Sequence, residues 1–165
     1  MEPGEALGVA AQIAVALAGF AGVVVVFRRE SVHEWSPIDK LRLRLLLANS
    51  ILPLLLCMVG LLLLTIRPAP AGIWRLCSAC GLVVFLSFFI TMRKTSRRLD
   101  LRQIQRERGT GFVFYFFGTL GMATMLLQVY NAALLGAFWP FFTAIIFQII
   151  TATFQFARMI LLPPE

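Results

Sequence analysis

RKTSRRLDLRQIQRER, residues 93–108, decides how this chain is arranged. It is the longest polar segment in the sequence, and apolar stretches leave from both of its ends. Seven of its sixteen residues are Lys or Arg, and basic residues that flank apolar segments stay on the cytoplasmic side of a membrane. The segment therefore predicts an integral membrane protein, and its charge predicts which way each neighbouring helix points.

Composition predicts the same class of protein. Hydrophobic residues make up 59% of the chain and charged residues 14%, whereas soluble domains carry about 25% charged residues. The net charge of +7 would indicate nucleic acid binding in a soluble protein. Here the basic residues lie in loops that lack the interleaved aromatic side chains on which bases stack. We therefore expect a single transmembrane domain over residues 1–165, with no nucleic acid partner.

Five apolar stretches approach or exceed the roughly 20 residues that a membrane-spanning helix needs. We expect an all-α bundle of five transmembrane helices at about residues 6–27, 41–66, 74–92, 112–130 and 138–161, with basic loops at 28–40 and 93–110. The last pair is separated by Asn131, Gly136 and Pro140, which are typical of a turn followed by a new helix. If that pair instead forms a re-entrant hairpin, four helices cross the membrane.

Charge predicts the orientation of this bundle. With five spans, the loops after the first and third helices share one side with the C-terminal end, and that side holds thirteen of the fifteen Lys and Arg residues. The positive-inside rule therefore predicts an N-out, C-in topology. The overall pattern is that of a small protein of the bacterial inner membrane.

Two of the predicted spans carry polar stripes. The fifth has Gln148, Thr151, Gln155 and Arg158, and the fourth has Thr124, Gln128 and Asn131. Amides and hydroxyls within a bilayer must face protein or water. The stripes therefore predict either hydrogen bonds between helices of one bundle, or the lining of a pore or a self-association surface.

Two further faces have a regular four-residue spacing. Small residues on the first span predict a packing seam for another helix, and they are Ala10, Ala14, Ala18 and Gly22. Basic residues after the third span form one cationic ridge if that helix continues beyond the membrane, and they are Lys94, Arg98, Arg102 and Arg106. The ridge either only anchors the topology, or it binds anionic lipid headgroups or a protein on the cytoplasmic side.

Cys77-Ser78-Ala79-Cys80 is a CxxC motif at the outer end of the third span. Such a pair can be redox-active, and the layout resembles the small membrane thiol oxidoreductases of the disulfide-forming and vitamin-K-epoxide-reductase-like families. That resemblance implies a redox role for Cys77 and Cys80. Those families also need a second cysteine pair outside the membrane, whereas the remaining cysteine here, Cys57, falls within the second predicted span. The alternative is that both cysteines are small residues at a helix interface.

No residue pattern predicts an enzyme, a metal site or a cofactor. No serine has a base and an orienting acid in view, and no predicted span contains the Asp or Glu that ion-coupled transporters use. We therefore expect a non-enzymatic membrane protein that acts as a homo-oligomer, with a channel or pore as its most specific form. An accessory subunit that docks on a larger partner through residues 93–108 is the alternative.

Overall fold

The computed structural model describes residues 1–27, 35–66, 72–96 and 108–161. These residues are helical and contain no β-strand. The helices are α1 (Pro3–Phe27), α2 (Pro37–Thr65), α3 (Ile73–Ser96), α4 (Arg108–Tyr130) and α5 (Phe138–Leu161), and a π-helix, Asn131–Leu135, continues directly from α4. The prediction of an all-α architecture is therefore confirmed for this part of the chain.

Each of the five described α-helices is long and apolar enough to span a membrane. The spanning segments are Pro3–Val26, Asp39–Thr65, Ile73–Thr91, Tyr115–Leu135 and Phe138–Leu161. The described residues therefore contain five helices of the predicted membrane-spanning length, and α4 and α5 each reach it. Helices of this length and composition are those of an integral membrane protein.

Helix α2 begins at the Ser36-Pro37 pair, four residues before the predicted span. The Ser36 hydroxyl accepts a hydrogen bond from the Asp39 amide at 3.1 Å, which satisfies one of the free N–H groups of the first turn. Pro37 is the first helical residue, where its missing N–H costs nothing. Asp39 in turn accepts a hydrogen bond from Arg42 Nη1 at 3.2 Å, and both side chains are buried.

The turn between α4 and α5 is built from the π-helix and Gly136. Gly136 has φ = 63°, a conformation that glycine adopts without strain, and its amide donates to the Asn131 carbonyl at 2.9 Å. Pro140 lies in the first turn of α5, where backbone N–H groups have no partner within the helix. The chain therefore reverses within six residues, and α5 runs antiparallel to α4.

Helices α1, α2 and α5 form the centre of the bundle. A Cβ built on Gly60 of α2 would lie 2.8 Å from Leu7 Cδ1 of α1 and 3.5 Å from Phe141 Cε1 of α5, so three helices meet closely at this glycine. At the opposite end of α1 and α5, the Phe20 and Phe156 rings stack with centroids 5.4 Å apart. These contacts set one register, in which α1 and α5 are parallel and α2 is antiparallel to both.

The buried residues of these three helices follow a heptad pattern, with alternating spacings of three and four, as in left-handed membrane bundles. On α1 they are Leu7, Ala10, Ala14, Leu17 and Ala21; on α2 they are Asp39, Arg42, Leu46, Asn49, Pro53, Leu56 and Gly60; on α5 they include Phe141, Gln148 and Gln155. Helices α3 and α4 flank this centre. Gly81 of α3 faces Leu56, and Phe117 of α4 packs on Phe154 with ring centroids 5.0 Å apart.

The predicted seam on α1 is inside the bundle for only part of its length. Ala10 and Ala14 are buried, Ala18 is half-buried, and Gly22 is exposed with no side chain within 4 Å of a Cβ built there. The contact line within the chain continues instead through Leu17 and Ala21. Because a helix has 3.6 residues per turn, a strict four-residue spacing drifts around the helix, whereas alternating spacings of three and four stay on one face.

Candidate functional site

The polar stripe on α5 lies inside a single chain. Gln148 is fully buried, and Thr151 and Gln155 are 7% and 6% exposed, while Arg158 at the end of the helix is half-buried. Gln148 and Gln155 follow Phe141 by one and two heptads, so they share its face toward α1 and α2. These side chains lie inside the bundle, but the predicted hydrogen bonds between helices are not seen for Gln148, and the Thr151 hydroxyl donates within its own helix to the Phe147 carbonyl.

The register of the bundle places Gln148 opposite a proline. Leu7, Gly60 and Phe141 lie at one level of the bundle. A step of seven residues along each helix, about 10 Å along the axis, leads to a second level, which contains Ala14, Pro53 and Gln148. All three are buried. Pro53 has no N–H, so the Asn49 carbonyl lacks its usual helical donor at this level. The centre of the bundle therefore combines a primary amide with a helix that lacks one backbone hydrogen bond.

The buried glutamines are incompletely hydrogen-bonded. Among the described residues, neither Oε1 nor Nε2 of Gln148 has a hydrogen-bond partner, and Oε1 of Gln155 has none. An unsatisfied buried polar group costs about 1–3 kcal/mol, so these three groups together would cost about 3–9 kcal/mol. This cost is comparable with the whole stability of a typical domain, about 5–15 kcal/mol. If no other molecule hydrogen-bonds to Gln148, its burial therefore lowers the stability of the bundle substantially.

Buried polar residues extend from this level toward one end of α2 and α5. We call them the buried polar run: Asp39, Arg42, Asn49 and Ser50 on α2 with Gln148, Thr151 and Gln155 on α5. It reaches the end of the bundle to which the basic segments 28–44 and 93–108 connect, here called the basic end. Sequence reasoning missed the α2 members, although Asn49-Ser50 is the only adjacent polar pair within that apolar stretch.

Two members of the run bond to their own helix. Asn49 Nδ2 donates to the Leu45 carbonyl and Ser50 Oγ to the Leu46 carbonyl, each at 2.8 Å. Asp39 and Arg42 form a salt bridge at 3.2 Å. Neither of the Gln148 polar atoms takes part in these bonds. The side chains of the buried polar run therefore do not satisfy all of one another's hydrogen-bonding groups.

The other half of the same interface is apolar. Phe141, Ile145, Leu7 and Leu56 are at most 2% exposed and lie between Gln148 and the opposite end of the bundle. We call these four residues the apolar block, and we call that end the turn end, because it contains the π-helix. The interface of α1, α2 and α5 thus contains the buried polar run among apolar residues from its middle to the basic end, and the apolar block from its middle to the turn end.

The polar stripe on α4 holds the turn end together. Gln128 Nε2 donates to the Pro140 carbonyl at 2.6 Å, and Asn131 Nδ2 donates to Ser78 Oγ of α3 at 2.7 Å. Asn131 also bonds to both the N–H and the C=O of Ala137, at 2.9 and 3.0 Å. Thr124 bonds to its own helix, at the Leu120 carbonyl. These residues therefore fasten α4 to α5 and to α3, and they leave only Gln128 Oε1 without a partner.

Arg75 is a second residue of the turn end that sequence reasoning did not single out. Its Nη2 donates to the Leu134 carbonyl of the π-helix at 2.9 Å, and its Nε lies 3.0 Å from where a Cβ on Gly136 would be. A surface depression lies beside it, between α3 and the π-helix, and is lined by Gly72, Arg75, Leu76, Ala79, Ala132, Leu135 and Gly136.

The three cysteines are free thiols. Cys57 and Cys77 are buried in the core, and Cys80 is half-buried one turn further along α3. Their neighbours on the helix have packing roles, because Ser78 accepts from Asn131 and Gly81 faces Leu56. This position favours the helix-interface interpretation of the CxxC motif.

The cationic ridge falls mostly beyond the described helices. Lys94 belongs to the last turns of α3, which ends at Ser96. Arg98, Arg102 and Arg106 lie outside the described residues. The ridge, and with it docking on lipid or protein, stays a prediction.

Within the described ranges, no three His, Cys, Asp or Glu side chains are grouped so that they could hold a metal ion. Comparison with known proteins finds no matching family, no matching curated protein and no matching solved structure.

Proposed function

We propose that this chain is a non-enzymatic integral membrane protein of the channel type, in which a small polar solute moves along the buried polar run inside one chain. Gln148 is the residue that carries the proposal. It lies fully buried at mid-bundle, both of its amide atoms lack partners, and it faces the level at which Pro53 interrupts α2.

The position of the stripe favours a path within the chain over a path between copies. A pore between subunits is lined by residues that a single subunit leaves exposed. Gln148 and Gln155 instead point toward α1 and α2, and the exposed surface of α5 carries apolar residues such as Ile150 and Ile160. One chain is therefore sufficient for the proposed path.

The lining favours an uncharged solute. Amides and hydroxyls donate and accept hydrogen bonds without stabilising a net charge. The charged members of the run, Asp39 and Arg42, form a salt bridge with each other. Water or a small neutral solute with several hydrogen-bonding groups fits this lining better than a metal cation or a carboxylate.

The apolar block is the proposed gate. Hydrophobic constrictions close membrane paths by excluding water, without needing a tight steric seal. Phe141 is the largest residue of the block, and it packs directly on Gly60 and near Leu7. A shift of this ring would connect the polar run to the turn end.

Osmotic shrinkage of proteoliposomes tests the path. Purified protein is reconstituted and mixed with a hyperosmotic solution of a small neutral solute, and light scattering follows the shrinkage as water leaves and the reswelling as the solute enters. We expect Phe141→Ala to increase the flux above wild type. Gln148→Met in the Phe141→Ala background should reduce that flux again, because it removes the central amide of the path.

Phe89→Ala provides the matched control. Phe89 lies on α3 and is 48% exposed, so the same truncation there leaves the gate unchanged. Flux through Phe141→Ala that equals flux through Phe89→Ala and through protein-free liposomes would eliminate the proposed path.

We also propose that the basic end faces the cytoplasm, N-out and C-in, in a bacterial inner membrane, on the basis of the charge distribution. The polar run then opens toward the cytoplasm and the apolar block faces outward. Homo-oligomers are compatible with this path, because the exposed part of the α1 seam remains available to a second copy.

A further inference from the structure

The depression beside Arg75 combines one exposed cation with a narrow apolar notch. Its members on α3 succeed one another along one face of the helix, from Gly72 to Ala79, a distance of about 10 Å along the axis. The opposite wall is Ala132 and Leu135 of the π-helix. Ala79 and Ala132 are small, so the notch stays open between two bulkier leucines, Leu76 and Leu135, while the Arg75 side chain lies over Gly136.

Arg75 is held at the rim of this notch. Its bond from Nη2 to the Leu134 carbonyl uses one of the five guanidinium N–H donors, and the side chain remains exposed. The bond fixes the orientation of the planar guanidinium group, which reduces the entropy lost when a ligand binds. A guanidinium group with free donors is suited to the oxygens of a phosphate.

The charges near the notch favour an anion. Arg75 lies in the first turn of α3, where the helix dipole adds a partial positive charge. The carboxylates of the same end, Glu2 and Glu5, belong to α1, which packs mainly against α2 and α5 rather than against the walls of the notch.

We propose that this notch binds an anionic phospholipid, with the headgroup phosphate on Arg75 and one acyl chain lying along Leu76, Ala79, Ala132 and Leu135. The polar and apolar parts of the notch follow one another in the same order as the headgroup and acyl chain of a phospholipid. The polar group is at the end of the bundle, and the apolar wall extends about two turns toward the middle of the membrane. The site lies at the turn end and is independent of the polar run.

A photoactivatable phosphatidylglycerol with the reactive group near the top of one acyl chain tests the site. The protein is reconstituted with this lipid at a small fraction in phosphatidylcholine, irradiated and digested, and the crosslinked peptides are identified by mass spectrometry. We expect crosslinks on residues 72–79 and 132–136. Arg75→Gln should reduce their yield about fivefold, the effect of removing one basic contact with an anionic lipid.

Ala79→Phe fills the notch and leaves the bond between Arg75 and Leu134 in place. Ala79→Phe should reduce the yield of the same crosslinks. This second test remains valid even if Arg75→Gln disturbs the turn between α4 and α5. Arg44→Gln, an exposed cation at the basic end, serves as the control and should leave them unchanged.

Three results would overturn the proposal. The first is a crosslink yield that neither Arg75→Gln nor Ala79→Phe reduces. The second is equal crosslinking by a photoactivatable phosphatidylcholine, which would show that the net charge of the lipid is not recognised. The third is loss of the crosslink when excess soluble glycerol phosphate is added, which would show that the notch binds a free anion rather than a lipid.

Discussion

Gln148→Met is the substitution that most directly tests whether the centre of the bundle is hydrated. Methionine has nearly the shape of glutamine but carries no amide. If the level of Ala14, Pro53 and Gln148 is dry, the substitution removes two unsatisfied groups from the interior. At about 1–3 kcal/mol for each group, the gain in unfolding free energy would be about 2–6 kcal/mol.

The proposed function predicts a different result. If solute molecules hydrogen-bond to the Gln148 amide, the methionine variant loses those hydrogen bonds. The solute molecules lose the same bonds. Replacing a satisfied polar contact by an apolar group of similar shape is close to neutral. We therefore expect Gln148→Met to change the unfolding free energy by no more than about 1 kcal/mol, and in the destabilising direction, since hydrogen bonds in membrane proteins average about 0.6 kcal/mol.

Equilibrium unfolding in mixed micelles, followed by circular dichroism, measures this difference. Gln128→Met is the matched control, because it makes the same change at an equally buried glutamine whose Nε2 is bonded to the Pro140 carbonyl at 2.6 Å. That variant loses this bond but also removes Gln128 Oε1, which has no partner among the described residues, so its unfolding free energy should change by less than about 2 kcal/mol. A stabilisation of Gln148→Met by more than about 2 kcal/mol would refute the hydrated path, because it would show that the Gln148 amide has no partner in the membrane.

Three further predictions concern the rest of the bundle. Asn131→Ala removes three hydrogen bonds at the turn end and should lower the unfolding free energy by about 2–4 kcal/mol; an unchanged value would mean that the π-helix is held by packing alone. Gly22→Leu should lower the fraction of oligomers seen by native mass spectrometry without loss of stability, whereas Ala14→Leu should destabilise the monomer by overpacking, typically by about 1–3 kcal/mol; equal oligomer fractions would remove the exposed α1 seam as an interface. In a background without the three native cysteines, an impermeant thiol reagent added to intact cells should label Ala133→Cys at the turn end and spare Arg44→Cys at the basic end, and the reverse pattern would invert the proposed orientation.

Local chemistry was sufficient to predict the helices of this fold. Length and hydropathy predicted five membrane-length segments, and the structure has five. Asn131, Gly136 and Pro140 predicted the turn before α5, and Ser36 and Pro37 form the beginning of α2 by equally local chemistry. These features depend on neighbouring residues alone, since capping, missing N–H groups and left-handed glycines act within one turn of the chain.

The partner of each helix face could not be predicted in the same way. In a soluble protein the apolar face of a helix identifies the core, but in a membrane the lipid is as apolar as the core. The sequence therefore showed a polar stripe on α5 without showing whether α2 or a second chain covers it. Arg75 was equally hidden, because its partner, Leu134, lies 59 residues away and contributes a backbone carbonyl that no side-chain pattern reveals.

The strongest argument for function is that the polar groups of the interior are distributed unequally. The three contacts of Asn131 use both atoms of its amide, and Gln128 Nε2 donates to Pro140, so buried amides that hold helices together in this chain have at least one bond to another segment. Gln148 has no such bond, although leucine or methionine would fill the same space at lower cost. Natural sequences carry a residue other than the most stabilising one mainly at functional sites. The Gln148 amide has no bond partner at the level of Pro53, where the buried polar run meets the apolar block. A mobile solute that binds this amide therefore explains the arrangement better than packing does.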